Sequence, residues 1–231
     1  MQSEQHYRFF KLRNSEFFFA KFVILVESTT DAQAIEHMIS AKLADAFYDV
    51  SIIALDGVKS IKYPYCLLKD LELPFVAIVD RDMTTEYRKD NKLKESRGTD
   101  DFPEYTNQLS MLNPLAKLLF NTEDEKLVIN EALQGSYTSL FSYMETKHIY
   151  IMQYCLEMDM LTSDKIAEAY YEELKIPTEK RSVKFLLENN AGAIKEVKHL
   201  ISVLQAIAPK DYPYSFKKIR TKLLKSIQAC L

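Results

Sequence analysis

The sequence predicts an α/β fold: a mostly parallel central sheet flanked by helices, with a C-terminal helical extension. Three short apolar runs, FFFAKFVILV (17–26), VSIIALDG (50–57) and FVAIVDRD (75–82), are rich in Val, Ile and Phe, with stretches of helical spacing between them. Strands this apolar are buried on both faces, as in a parallel sheet covered by helices. Acids stand at the ends of these runs, Glu27, Asp56, Asp80 and Asp82. In open parallel sheets ligands gather beyond the C-terminal strand ends, so separate stretches of chain deliver carboxylates to one rim.

Taken in order, the strands are expected over Phe22–Val26, Val50–Ala54, Phe75–Val79 and Ile149–Met152. After the first, Ala34, Ile35, Met38, Ile39 and Leu43 recur at helical spacing, and Thr29, Thr30 or Asp31 is the candidate cap. Residues 61–71 suit a helix starting near Pro64, because proline is accepted in a first helical turn. Residues 84–108 are polar and charged without apolar period, and read as a mobile loop whose Arg88, Lys89, Lys92, Lys94 and Arg97 are candidate phosphate contacts. From Ser163 to the end the pattern is helical throughout. The division expected is a lead-in over 1–16, a catalytic domain over 17–162 with the charged insertion 84–108, and a helical region over 163–231 that completes the active site.

The chain has 231 residues, with 30 Lys and Arg against 33 Asp and Glu, a net charge of −3. That excludes a uniformly basic nucleic-acid coat but not a local basic patch or a metal-mediated contact with phosphate. Cys66, Cys155 and Cys230 are far apart, which argues against a disulfide framework or a zinc site and fits a cytoplasmic protein. No apolar run approaches the roughly 20 residues that span a bilayer. The C-terminal KKIRTKLLK (217–225) reads as an amphipathic helix with a solvated basic face.

The acids carry the functional reading. Glu27 and Asp31 are four apart across a strand-to-helix turn, Asp80 and Asp82 share a face of an extended segment, and Glu157 follows the fourth strand. Crowded carboxylates repel and call for cations to offset them. Two hard divalent ions, Mg2+ or Mn2+, suit such an oxygen set: Glu27, Asp80 and Asp82 for one, Asp31, Glu157 and one of Asp80 and Asp82 for the other.

SEFFFAKFVILVESTTDAQAI and LKDLELPFVAIVDRD resemble the segments that carry the acids of the Toprim domain in OLD-family nucleases, including the nuclease subunit of the Gabija antiphage system. Ser28 and Glu72 stand where that family usually has glycine. YIMQYCLEMDML (150–161) resembles the later segment with a metal-binding Glu, which carries that role onto Glu157. KRSVKFLLENN (180–190) resembles the helix with the active-site lysine, which points to Lys180, with Lys184 in reserve. The resemblance implies a Toprim-like, Rossmann-like fold and metal-dependent cleavage of DNA or RNA, with Glu27, Asp80, Asp82 and Lys180 catalytic and Arg88, Lys89, Lys92 and Lys184 on nucleic acid. The family precedes this domain with an ABC-type ATPase, and this sequence has no Gly-x-x-x-x-Gly-Lys-(Ser/Thr) motif. The expectation is therefore either a fragment, or a Toprim subunit that meets an ABC- or SMC-like ATPase in trans through apolar faces such as Ile201, Leu204 and Ile207, in an antiphage or abortive-infection system. Two alternatives stand beside it. One is a haloacid-dehalogenase-like phosphatase, with Asp80 as nucleophile and Asp82 as general acid in Asp80-Arg81-Asp82-Met83-Thr84. The other is a non-catalytic Toprim-like module that holds an ATPase.

Overall fold

The computed structural model describes residues 17–55, 57, 60–87, 102 and 104–231. Four parallel strands form one sheet: β1 (Phe22–Val26), β2 (Val50–Ala54), β3 (Phe75–Val79) and β4 (Ile149–Ile151), in the order β2-β1-β3-β4. The strands start and stop as the sequence predicts, except that Met152 lies one residue beyond β4, with its N–H on the Val79 carbonyl. Every residue of β1, β3 and β4 is buried, which explains their unbroken apolar character. β2 is an edge strand, paired with β1 and only half covered.

The register matters for function. Val23 pairs with Phe75 and Leu25 with Ala77, so β1 and β3 run side by side and end together. From β1 the chain goes first to β2 on one side and then to β3 on the other. The sheet order therefore reverses between β1 and β3, the place where open α/β sheets leave a crevice for ligand.

Helix α1 (Thr29–Leu43) starts directly after β1, and its buried residues include Ala34, Ile35, Met38, Ile39 and Leu43, the predicted stripe. Its cap is Ser28, outside the three residues expected. Helix α2 (Lys62–Asp70) places Pro64 in its first turn, where a missing N–H costs nothing. Glu72 then takes φ 53°, the left-handed region that favours glycine and costs a side-chain-bearing residue about 1 kcal/mol or more. Between β3 and β4 lie α3 (Pro114–Leu119), α4 (Glu123–Gln134) and α5 (Tyr137–Glu145).

After β4 come α6 (Leu156–Leu161), α7 (Asp164–Glu173), α8 (Val183–Asn189), α9 (Ala191–Ile194), α10 (Val197–Ala206) and α11 (Tyr214–Cys230). Both α10 and α11 pack against α1, and α10 also packs against α7. Leu204 is 1% exposed, and Ile201 and Ile207 are partly buried against the core, so the apolar face of α10 serves internal packing rather than a docking surface. The basic face of α11 is not simply solvated either. The Lys222 ammonium meets Glu145 at 2.7 Å, Arg220 Nε donates to the Met38 carbonyl at 2.8 Å, and Lys218 lies 4.7 Å from the Phe141 ring centroid, close to Tyr137 and Tyr214.

The insertion 84–108 is anchored at both ends. Tyr87 and Tyr105 form an antiparallel bridge, their rings stack at 4.6 Å, and the Ser110 N–H donates to the Thr84 carbonyl. Arg88, Lys89, Lys92, Lys94 and Arg97, like Asp56, lie outside the described residues.

Candidate active site

The rim beyond β1 and β3 gathers the acids from three segments. Glu27 leaves the end of β1 and Asp80 the end of β3, and Glu27 Oε1 accepts the Asp80 N–H at 3.0 Å. One carboxylate thus ties the two strand ends together across the switch point. Gly57 closes the β2 side: its N–H donates to the Glu27 carbonyl at 2.8 Å, and its φ of 119° is open only to glycine.

Asp31 comes to the rim through the cap of α1. Ser28 Oγ accepts the Asp31 N–H at 3.2 Å, while Asp31 Oδ2 accepts from the Ser28 N–H at 2.9 Å and from its hydroxyl at 2.7 Å. This is a capping box with Asp in the third position. Ser28 has an extended backbone, φ −137°, so a residue with a side chain fits this turn and caps the helix as well. Asp82 sits in the short turn Arg81–Met83 and reaches solvent. Thr84 and Thr85 hydroxyls both donate to the Arg81 carbonyl and fix that turn. Glu157, on the first turn of α6, is buried.

The charges act on one another. Burial lifts the Glu27 carboxyl to about 7, against the Asp80 N–H that favours the anion, and the Asp82 and Asp31 charges push it further up. Burial also holds Asp80 well above the usual carboxylate range, with Glu27, Asp31, Glu157 and Asp82 all adding. Asp31 and Asp82 are raised for the same first reason, burial, with Glu157 contributing to each.

The cation that faces this cluster is Lys195. Its ammonium stands 2.9 Å from Glu157 Oε2, a close ionic contact without hydrogen-bond alignment, and its charge opposes the rise at Glu27, Asp31 and Asp82. Burial works against the ammonium, but Glu157, helped by Cys155 and Asp80, outweighs it and raises its pKa. Lys195 lies at the C-terminal end of α9, where its carbonyl accepts the Thr30 hydroxyl at 3.1 Å. The family resemblance of KRSVKFLLENN points to Lys180 instead. Lys180 is in a short turn before α8, with its ammonium 6.0 Å from the Phe185 ring centroid, and Lys184 is on α8 itself. Nothing in AGAIKEVKHL marks Lys195 over Lys198, because the contact that singles it out is tertiary.

The donor set is entirely carboxylate oxygen at the rim, which suits a hard divalent cation. Among the described residues no three acidic, histidine or cysteine side chains already converge on one point. The acids are gathered within electrostatic reach without being closed around a centre. Their chemistry fits the ion.

Residues 18–82 match the sequence model of the family described as overcoming lysogenization defect protein-like, TOPRIM domain. That stretch is similar to an OLD-like Toprim domain. The matched segment runs from just before β1 to Asp82 and so holds Glu27, Asp31, Asp80 and Asp82. The whole fold is similar to the C-terminal region of the Xanthomonas campestris pv. campestris OLD protein, with a TM-score of 0.54 and 14% identity over 92% of this chain and 98% of that one. It is similar too to the C-terminal region of the Burkholderia pseudomallei OLD protein, with a TM-score of 0.52 and 14% identity over 90% of this chain and 99% of that one. At such identity the likeness is one of fold, and it extends beyond the Toprim segment through the C-terminal helices. Among curated proteins none matches by sequence.

Proposed function

We propose that the Toprim rim is the active site of a divalent-metal-dependent nuclease that hydrolyses DNA or RNA phosphodiesters. The observation that carries this is that Glu27, Asp31, Asp80, Asp82 and Glu157 stand within electrostatic reach of one another near the switch point, with Lys195 as the facing cation. Burying like charges together destabilises a fold unless a ligand offsets them. Glu27, Asp80 and Asp82 would hold one cation, and Asp31 and Glu157, with one of the aspartates, a second. Mg2+ or Mn2+ there supplies Lewis acidity at the phosphoryl oxygen and lowers the pKa of water.

The chain's own residues do the rest. Glu27 keeps its Asp80 N–H contact and so holds the spacing of the two strand ends. Lys195, a fixed ammonium in a partly dry site, neutralises charge that develops on the phosphate oxygens, and it replaces Lys180 in that role. Control by an ABC- or SMC-like ATPase, in an antiphage or abortive-infection setting, follows from the likeness to OLD proteins and belongs to the same proposal. A phosphatase using Asp80 as nucleophile fits less well. The stretch that carries Asp80 and Asp82 matches an OLD-like Toprim model instead.

The test is cleavage of single- and double-stranded DNA and RNA with Mg2+ or Mn2+, with and without the ATPase recovered by pull-down from the native host. Glu27→Ala and Asp80→Ala are each expected to lower the rate by 1000-fold or more on the scale of lost catalytic groups. Wild-type rates in both variants would refute the nuclease reading, and hydrolysis of small phosphomonoesters alone would move the assignment to a phosphatase.

A further inference from the structure

Two charged residues beside the rim have no part in the chemistry above: the half-buried Arg81, between the two aspartates, and the buried Asp159, on α6. Asp159 is 0% exposed. Its Oδ2 accepts the Gln153 N–H at 2.9 Å and its Oδ1 the Tyr154 N–H at 2.8 Å, and the buried Ser215 at the start of α11 lies beside the same carboxylate and favours its anion. Tyr154, whose N–H Asp159 accepts, also meets the rim through its own carbonyl, in the next peptide group along. The Tyr154 carbonyl accepts the Arg81 N–H at 2.8 Å. The Arg81 side chain turns away from the acids, with its guanidinium 5.1 Å from the Tyr105 ring centroid and its buried Nε without an acceptor. Asp159 is a nearby negative charge that favours that cation.

The geometry points to Asp159 as a positioning residue: by holding the Tyr154 N–H, and through that residue's carbonyl the Arg81 backbone, its carboxylate sets where Asp80 and Asp82 present their oxygens. This rests on the reading of the rim as a cation site. A carboxylate is needed because two peptide N–H groups must be accepted, one on each oxygen. An amide in its place offers one acceptor and turns its NH2 on the other donor, so one of the two peptides is released. Ser215 is a polar neighbour of the same group, and its loss leaves both peptide N–H contacts in place.

The experiment measures Mn2+ affinity of the full chain by electron paramagnetic resonance, with amide hydrogen exchange read alongside. Asp159→Asn is expected to weaken Mn2+ binding tenfold or more and to deprotect the Arg81 amide at least tenfold, while the β1 amides of Ile24 and Leu25 keep their protection. Ser215→Ala is expected to stay within twofold of wild type in Mn2+ affinity. Equal affinity in Asp159→Asn and wild type overturns the inference and leaves the cation reading intact. So does weakening by Ser215→Ala as large as that by Asp159→Asn, which marks a merely structural role. Loss of Mn2+ without deprotection of the Arg81 amide overturns it as well, because deleting a charge acts that way. A wild-type chain that binds no Mn2+ ends both readings. If Asp159→Asn does not fold, wild-type exchange decides. The Arg81, Gln153 and Tyr154 amides must open together, and an Arg81 amide that exchanges independently overturns the inference.

Discussion

On α11 four of the five basic side chains have partners within the chain: Lys222 has Glu145, Arg220 the Met38 carbonyl, Lys217 the Lys210 carbonyl and Lys218 three aromatic rings, while Lys225 is exposed. At the rim the ratio is reversed, with Glu27, Asp31, Asp80, Asp82 and Glu157 opposite Lys195. The charges on α11 are distributed as charges that fasten a helix to a core. On the rim, burial first and neighbouring acids second raise the carboxyls of Glu27, Asp31, Asp80 and Asp82, so their ionisation opposes folding of the metal-free chain at neutral pH. Charge that is satisfied within the chain serves the fold; charge that is gathered and left in excess serves something the chain binds.

The largest effect that separates the two regions is on rate. Lys195→Ala is expected to slow cleavage on the order of 100-fold, as other single electrostatic stabilisers do, while Lys180→Ala stays near wild type in a steady-state assay. The opposite ranking would return the role to Lys180.

A second separation is in stability against pH. Burial raises Glu27 from 4.5 to about 7, so between those values the folded state holds a proton that the unfolded state releases. Stability of the metal-free protein therefore falls as pH rises through that window and stays low above it, by on the order of 1–3 kcal/mol. Glu27→Gln, which keeps an oxygen for the Asp80 N–H, should gain about that much at pH 8 and little at pH 4.5, as measured by urea denaturation. A variant less stable than wild type at pH 8 would mean that the Glu27 anion supports the fold.

The smallest effect is on α11. Lys222→Ala removes a half-exposed pair and should cost less than about 1 kcal/mol, with cleavage unchanged. A large loss of cleavage with little loss of stability would place α11 in the functional surface and erase the contrast.

The sequence made the sheet legible because β1, β3 and β4 are buried on both faces, and continuous apolar runs have few other homes. It made the acids legible because each of the three segments carries them at or just after a strand end. The cap was missed by one residue, since Ser28, Thr29, Thr30 and Asp31 all have capping side chains and backbone geometry chooses among them. Lys195 and Asp159 were not legible as functional. The first is defined by a contact between α9 and α6, and the second by peptide groups of the loop after β4. Local periodicity carries no record of either. The basic face of α11 was legible as a pattern, but its partners Glu145 and Met38 lie on other helices.

The account stands on the claim that the crowded rim is held for a divalent cation. Thermal unfolding followed by circular dichroism at pH 8, with Mg2+ or Mn2+ titrated into the wild-type chain and Glu27→Gln, tests it most directly. The wild-type midpoint should start below that of the variant and climb to saturation with either ion, while the variant midpoint hardly moves. A wild-type midpoint indifferent to both ions, or a variant that climbs in parallel with it, would contradict the claim.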